Sequence, residues 1–215
     1  MLTNCVQLNL FCDRVTFDAT TAAPILIGDL YINVNEDRVR GLDVEANYNS
    51  AAQKFGGAAT LEARAFATWL FENTETLGSG ATVDRAGQTG FQQSDGVPYA
   101  LPDFKVTGNI TYRNGGFTSF LQGRYIGSGK QENALPDSAL NHVDSVFYLD
   151  LRLSYDIKTD SGTDFQIFGM VTNITDAAPP VTPYYSVFGG HVFQANSTLF
   201  DLIGRRYTVG VKIKM

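Results

Sequence analysis

The segment FYLDLRLSYD, residues 147–156, alternates between two kinds of side chain along its whole length. A period of two places successive side chains on opposite faces of a β-strand. The segment therefore predicts a strand with one apolar face and one polar face. The apolar set is Phe147, Leu149, Leu151, Leu153 and Tyr155, and the opposing set is Tyr148, Asp150, Arg152, Ser154 and Asp156.

The same alternation recurs on both sides of this segment, and no window shows a convincing helical period. It predicts an all-β, antiparallel protein with seven strands, and an eighth is possible around Ile25–Val34, where the pattern is poorer. The other six segments are 42–49, 61–71, 104–113, 117–127, 165–172 and 207–215.

Composition excludes several classes of protein. The chain has 215 residues and a net charge of -6, which argues against a nucleic-acid partner. Its hydrophobic content of 44% argues against intrinsic disorder. No apolar run reaches the roughly 18 residues that a membrane helix needs. The composition does not exclude a transmembrane β-barrel, because the strands of such a barrel interleave apolar residues with polar ones.

Three features favour a transmembrane barrel over a soluble β-sandwich. The predicted strands have 8 to 11 residues, whereas soluble strands average five or six. Short connections near 50–57, 114–116 and 159–162 alternate with long ones near 77–101, 133–144 and 175–203, as in outer-membrane barrels. Aromatic residues lie near the ends of the apolar faces, where interfacial girdles would place them: Tyr48, Trp69, Tyr112, Tyr125, Tyr155 and Tyr207.

The charged residues of the strands then have a physical role. On the lipid side each would cost about 2–4 kcal/mol near the midplane, so we expect them to line a wet lumen. Keeping that lumen hydrated is a sufficient role for any one of them. The predicted lumen-lining residues are Glu62, Arg64, Lys105, Arg113, Arg124, Asp150, Arg152, Lys212 and Lys214.

Four ordered motifs resemble those of one membrane-protein family. They are YINV…RGLDVEA (31–46), LPDFK (101–105), QIFGMVTNITD (166–176) and FDLIGRRYTVGVKIKM (200–215). In order and spacing they resemble TonB-dependent outer-membrane receptors of bacteria. The resemblance implies a 22-stranded barrel filled by an N-terminal plug. It also implies uptake of a scarce nutrient, such as a siderophore, cobalamin or an oligosaccharide, driven by the TonB complex.

The resemblance also assigns parts of the chain. Residues 36–215 would be the C-terminal barrel segment and 1–35 an extracellular loop region, in a fragment or truncated product without plug or TonB box. The last strand would be the signal recognised by the barrel-assembly machinery: Tyr207, Val209, Val211, Ile213 and Met215. Met215 departs from the family, whose chains usually end in an aromatic residue.

The N-terminal segment carries the chain's two cysteines, Cys5 and Cys12, with six residues between them. Such a close pair favours a local disulfide, as in an exported protein, over two reduced thiols in a cytosolic one. Without a nearby histidine, the pair does not predict a zinc site. The first residues lack a basic start and an apolar core, so the chain is either cytosolic or the later part of an exported protein.

The last long loop, which the family topology places outside the cell, holds the candidate binding residues. Its aromatic residues suit stacking on a sugar or a flat chelate, and the alternative, which the sequence favours, is that they pack the loops together or lie at the bilayer interface. The candidate contacts are Tyr184, Tyr185, Phe188, His191 and Phe193.

Catalytic motifs are missing from the sequence. It has no G-x-S-x-G, H-E-x-x-H or P-loop, so we expect neither an enzyme nor a cofactor, and its two histidines make a poor metal site. Two alternatives stay open beside the receptor. They are a self-contained eight-stranded outer-membrane barrel with a structural or adhesive role, and a soluble carbohydrate-binding β-sandwich.

Overall fold

The computed structural model describes residues 5, 12–28, 36–51, 59–76, 81–92, 98–160, 162–185 and 192–214. The chain divides into two compact units, one made of 1–38 with 73–84 and the other of 39–72 with 85–215. The strands are β1 (Val15–Phe17), β2 (Pro24–Ile27), β3 (Asp37–Ala51), β4 (Thr60–Thr76), β5 (Thr82–Asp84), β6 (Phe104–Asn114), β7 (Phe117–Ile126), β8 (Gly129–Lys130), β9 (His142–Val143), β10 (Val146–Ile157), β11 (Asp164–Thr172), β12 (Tyr184–Tyr185), β13 (Val192–Phe193) and β14 (Arg206–Lys214).

In the first unit, β1 and β2 form a short antiparallel hairpin, and β5 pairs with the last three residues of β4. Backbone N–H groups of Thr21 and Thr20 donate to the Asp18 carboxylate at the hairpin turn, and these bonds lower the pKa of Asp18. The structure joins Cys5 and Cys12 in a disulfide, with Cα atoms 4.8 Å apart.

The possible eighth strand around Ile25–Val34 lies only partly within the described residues. Pro24–Ile27 pairs with β1 in a separate two-stranded sheet, and residues 29–35 lie outside the described part of the chain. The apolar run at the start of the predicted segment forms β2, and β2 pairs with the three residues of β1 rather than with a strand of the large sheet.

The second unit is built on one large sheet whose strands lie in the order β14-β11-β10-β7-β6-β4-β3. These seven strands coincide with the seven predicted segments and have 9 to 17 residues each. Spatial neighbours are also sequence neighbours among the long strands, so the sheet is a meander. The all-β, antiparallel prediction is confirmed. No helix among the described residues is long and apolar enough to cross a membrane.

Register gives this sheet two unlike faces. On its apolar face, which carries the odd-numbered positions of β10, the large side chains are exposed: Leu42 is 50% exposed, Ile110 46% and Val211 61%. The apolar residues are therefore not gathered in a dry centre, as a soluble sandwich would require. The opposite face, the polar face, carries Asp150 and the other even-numbered positions of β10.

Among the described residues, the buried hydrophobic cluster lies where the strands meet the long connections. It contains the end of β7 and the start of β10, where Ile126, Val146 and Tyr148 pack with Val143 and Phe200 from the connections. The strand ends on this side of the sheet, which we call the long-loop edge, are joined by the long connections 77–103, 127–145 and 173–205. The strand ends on the opposite side are joined by the short connections 115–116 and 158–163. Gly115 has a φ of 55°, which lets it close the two-residue turn between β6 and β7.

Candidate functional site

The polar face is assembled by cross-strand register. Glu62 pairs with Thr111 and Thr111 with Phe120, while Asp150 pairs with Gln122 in the next row. Alternation and register place all nine predicted lumen-lining positions on this one face: Glu62, Arg64, Lys105, Arg113, Arg124, Asp150, Arg152, Lys212 and Lys214. That the face lines a lumen stays a prediction.

Ion pairs between neighbouring strands engage several charged side chains of the polar face. Arg64 on β4 lies 2.8 Å from Glu45 on β3. Arg113 on β6 lies 2.7 Å from Glu62 on β4. Exposed pairs of this kind contribute about 0–1 kcal/mol each, so they add little to the free energy of unfolding. They leave the face polar, with Arg64 and Arg113 each beside a carboxylate of the neighbouring strand.

A cavity of about 770 Å³ lies against the polar face, in front of β6, β7, β10, β11 and β14. Its lining mixes guanidinium, amide and hydroxyl groups, including Arg113, Gln122, Arg152 and Thr208. The Arg152 guanidinium stacks over the Phe168 ring, with its carbon 5.3 Å from the ring centre. The lining side chains can therefore donate hydrogen bonds to, and accept them from, water or a polar surface.

At the long-loop edge, the polar face carries an anchor made by Tyr148, Asp201 and Arg206. Tyr148 is fully buried, and its hydroxyl accepts a hydrogen bond of 3.2 Å from the Asp201 N–H. The Asp201 carboxylate accepts two bonds from Arg206, at 3.0 and 3.2 Å. Burial alone would raise the pKa of Asp201, but the bonds from Arg206 and from the Ile203 N–H outweigh it and lower that pKa.

A second contact ties the same connection to β10. The Asp150 carboxylate accepts a 2.8 Å bond from the Asn173 N–H, and Arg124 lies 3.6 Å from that carboxylate. The Arg124 guanidinium also covers the Tyr148 ring at 5.2 Å. Connection 173–205 is thus held at its first and its last residues by side chains of the polar face.

The three long connections interlock through buried amides. The Asn196 side chain, which is fully buried, donates to the carbonyls of Thr89 and Tyr99 at 2.9 and 2.7 Å. The Gln131 amide donates to the carbonyl of Pro183 at 3.1 Å. The described parts of connections 85–103, 127–145 and 173–205 are therefore joined to one another, and we call them the loop cap.

The predicted ligand-contacting residues lie at a hairpin in the loop cap. Tyr184 pairs with Phe193 and Tyr185 with Val192, so β12 and β13 bring three of the five positions together. Phe188 and His191 lie outside the described residues. Ligand contact by this set stays a prediction.

The predicted assembly strand forms one edge of the large sheet. Among the described residues, β14 pairs only with β11, and Tyr207 and Val209 on its apolar face are 71% and 85% exposed. Met215 lies outside the described residues. Recognition of β14 by the assembly machinery stays a prediction.

Metal-ligand types are dispersed in the described residues. No group of three or more His, Cys, Asp or Glu side chains in that part of the chain could hold a metal ion. His142 instead lies 3.2 Å from Asp144.

Sequence reasoning placed the charges of the polar face but missed the anchor and the buried amides. Tyr148 and Asp150 were on the predicted polar face, but nothing in the sequence paired them with residues 173–205. Asn196 gave no usable signal, because its partners lie about 100 residues away in another connection.

Comparison with known families agrees with this architecture. The sequence model of the TonB-dependent receptor-like β-barrel matches residues 9–174. The chain belongs to this family. No curated protein matches the chain.

Membership in the TonB-dependent receptor family confirms the resemblance drawn from the motifs. The match includes the motifs at 31–46 and 101–105 and nearly all of the one at 166–176, while the motif at 200–215 lies beyond it. The family consists of outer-membrane receptors that serve transport in Gram-negative bacteria rather than of enzymes. The large sheet is accordingly a stretch of antiparallel barrel wall, open at both edges among the described residues.

Proposed function

We propose that this chain is the C-terminal part of the barrel wall of a TonB-dependent outer-membrane receptor. The receptor takes up a scarce nutrient such as a siderophore, cobalamin or an oligosaccharide. The observation that carries the proposal is the pair of unlike faces, because exposed Leu42, Ile110 and Val211 suit hydrocarbon and the ion-paired face suits water.

The proposal includes the partners of such a receptor, which follow from the family and from the two faces of the sheet. Lipid covers the apolar face, and an N-terminal barrel and plug segment supplies the remaining wall and fills the space before the polar face. The TonB complex acts on the complete receptor, and the barrel-assembly machinery engages β14. Residues 1–35 and the loop cap lie on the extracellular side, where the cap meets the nutrient.

The membrane assignment is testable with Trp69, the only tryptophan of the chain. Trp69 lies on the apolar face beside Phe104, with ring centres 4.8 Å apart. In phospholipid vesicles containing brominated acyl chains, we expect strong quenching of its fluorescence and weak quenching by aqueous iodide.

A matched control moves the tryptophan to the polar face. In the variant Trp69→Phe with Phe120→Trp, the new indole replaces a ring that lines the cavity of the polar face. Bromine quenching should then be weak and iodide quenching strong. A wild-type chain that stays in the aqueous phase without detergent, or whose Trp69 is reached only by iodide, contradicts the proposal.

A further inference from the structure

The alternation of faces does not by itself fix how β14 is aligned on β11. The two strands pair antiparallel, from Asp164 opposite Lys214 to Thr172 opposite Arg206. Because side chains repeat their direction every two residues, sliding β14 by two residues returns every side chain to the same face of the sheet. Such a slide still sets apolar residues opposite apolar residues, so another contact must select the observed register.

The connection between these strands is too long to act as a turn. Register in a hairpin is usually set by the type and length of its turn, as at 115–116 between β6 and β7. Hairpin loops have about two to five residues, whereas β11 and β14 are joined by 173–205. In 127–145 the strand pairing is continued by the backbone bonds of β8 and β9. No backbone–backbone bond joins 173–176 to 201–205, all of which the structure describes.

The side chain of Asp176 joins the two ends of the connection instead. Its Oδ1 accepts a 3.0 Å bond from the backbone N–H of Arg205, and its Oδ2 lies 3.4 Å from the Nη2 of the same arginine. The Arg205 Nη1 also donates to the carbonyl of Ile174 at 3.3 Å. These bonds close a loop made of 173–176 and 205 between the last paired residues of β11 and β14. That loop has the length of a hairpin turn.

The backbone around this contact is shaped to present it. Asn173 and Asp176 have φ values of 52° and 53°, and Gly204 has 79°. The buried Asn173 side chain accepts a 2.9 Å bond from the Ala177 N–H and donates a 3.0 Å bond to the Ala177 carbonyl. A Cβ at position 204 would lie 3.2 Å from the Asp176 Oδ1, and the positive φ would strain any residue but glycine there. These residues belong to the motifs at 166–176 and 200–215 that marked the family.

One other contact distinguishes this register from its neighbours. A Cβ at Gly210 would lie 2.6 Å from the ring of Phe168, so the ring covers the glycine, and a slide would set that ring against Thr208 or Lys212. This contact lies within the strands and does not involve the connection. It is the competing explanation of the register.

The Asp176 contact acts mainly through the backbone. The side chains of Arg205 and Asp176 are 41% and 53% exposed, and ion pairs as exposed as this one contribute little through charge alone. The bond from the Arg205 N–H is different, because that group has a fixed place along the chain immediately before β14. Holding it therefore holds the strand at one alignment.

We propose that Asp176, Gly204 and Arg205 form a clasp that sets the register of β14 on β11, whatever the length and sequence of segment 178–200. The inference goes beyond the proposed function, because it concerns the alignment of the last strand in any medium. It makes 178–200 a segment that can change without moving β14, although the contacts of the loop cap change with it.

Disulfide cross-linking measures the register. In a chain whose two native cysteines are replaced by serine, Ile167→Cys is combined with Val211→Cys, its partner in the observed register. Two further chains combine it with Val209→Cys or with Ile213→Cys, which report slides by two residues. Diagonal positions across a strand pair are too far apart for a disulfide. Each chain is refolded from urea in detergent micelles and then oxidised.

With the clasp intact, we expect cross-linking of the 167–211 pair alone. Asp176→Ala should raise the ratio of shifted to observed cross-links at least about fivefold, and Gly204→Val should act in the same direction. The matched control is Asp201→Asn, which changes a carboxylate of the same connection that bonds to Arg206 rather than to Arg205. It should leave the ratio unchanged.

A second set of variants keeps the clasp and changes the connection. Segment 178–200 is replaced by a Gly-Ser linker of half or of twice its length. The observed register should persist with both linkers while Asp176 is present, and Asp176→Ala should weaken it in both. If Asp176→Ala in the otherwise unchanged chain fails to fold and gives no cross-link in any register, these linker variants decide.

Two results overturn the clasp. An unchanged ratio in Asp176→Ala would assign the register to Phe168 and Gly210, and a register that moves with the linker while Asp176 is present would assign it to the connection. Absence of the 167–211 cross-link in the otherwise unchanged chain would overturn the observed pairing of β11 with β14, and the inference with it.

Discussion

Placing a positive charge on either face of β6 provides a direct test of which face meets lipid. Ile110 is the seventh of the eleven residues of β6 and lies between Ala63 and Leu121 on the apolar face. Ile110→Lys therefore puts an ammonium group near the middle of the strand, on the face that we assign to hydrocarbon. The adjacent Asn109→Lys puts the same group on the polar face and is the matched control.

The expected magnitudes differ clearly. A lysine near the bilayer midplane costs about 2–4 kcal/mol, which lowers the folding equilibrium constant about 30- to 900-fold. For Asn109→Lys the new charge lies opposite Arg64, whose own charge is engaged by Glu45. We expect a cost of about 1 kcal/mol or less from that like-charge contact.

The measurement is a urea titration of the vesicle-inserted chain, followed by the fluorescence of Trp69. The Ile110→Lys variant should unfold at a markedly lower urea concentration than the wild type, with Asn109→Lys close to the wild type. Equal losses for the two variants, or a larger loss for Asn109→Lys, would refute the assignment of the faces.

Three further outcomes follow from the anchor, the loop cap and the disulfide. Because the pKa of Asp201 is lowered by folding, its bonds to Arg206 contribute stability that is present above about pH 4 and is lost as the pH falls through the lowered value. The hydrogen-exchange protection factors of 173–205, which compare each rate with the intrinsic rate at the same pH, should therefore fall at acid pH in the wild type and much less in Asp201→Asn; an identical fall in both would contradict this. Asn196→Ala removes the donor that bonds to the carbonyls of Thr89 and Tyr99, which should destabilise the loop cap by about 1–3 kcal/mol. Limited proteolysis should then cut the connection between β4 and β6 faster; an unchanged cleavage rate would show that the amide does not hold the loop cap together. Reduction of the Cys5–Cys12 disulfide should cost about 2.5 kcal/mol for so short a loop and should raise hydrogen exchange in 12–28 while leaving that of β10 unchanged; an effect on β10 would be the contrary result.

The long strands could be predicted because each of them has one apolar face and one polar face. An alternating sequence such as 147–156 produces two such faces in a β-strand, whose side chains point to opposite sides in turn. The same reasoning placed Arg64 and Arg152 on one face, since a period of two leaves no freedom once the strand is assigned. The partners in the ion pairs could not be predicted, because they depend on the register of neighbouring strands and hence on how each turn closes.

The loop cap could not be predicted for a related reason. Its side-chain bonds join residues that lie far apart in sequence, such as Asn196 with Thr89, and loops have no period that would report which residues are buried. The partner strand of Pro24–Ile27 shows a different difficulty. Ile25 and its neighbours are apolar enough for a strand, but three residues, Val15–Phe17, are too short a run to be recognised as their partner.

The interlocked connections also limit how such a protein can be re-engineered. Because Asn196 and Gln131 each bond to the backbone of another connection, replacing one connection alone removes partners that the other two require. Moving the loop cap onto a foreign scaffold would then require all three segments to be transferred together, as a single exchangeable module. Diversification among relatives faces the same constraint, and compensating changes in the remaining two segments should accompany any change in one.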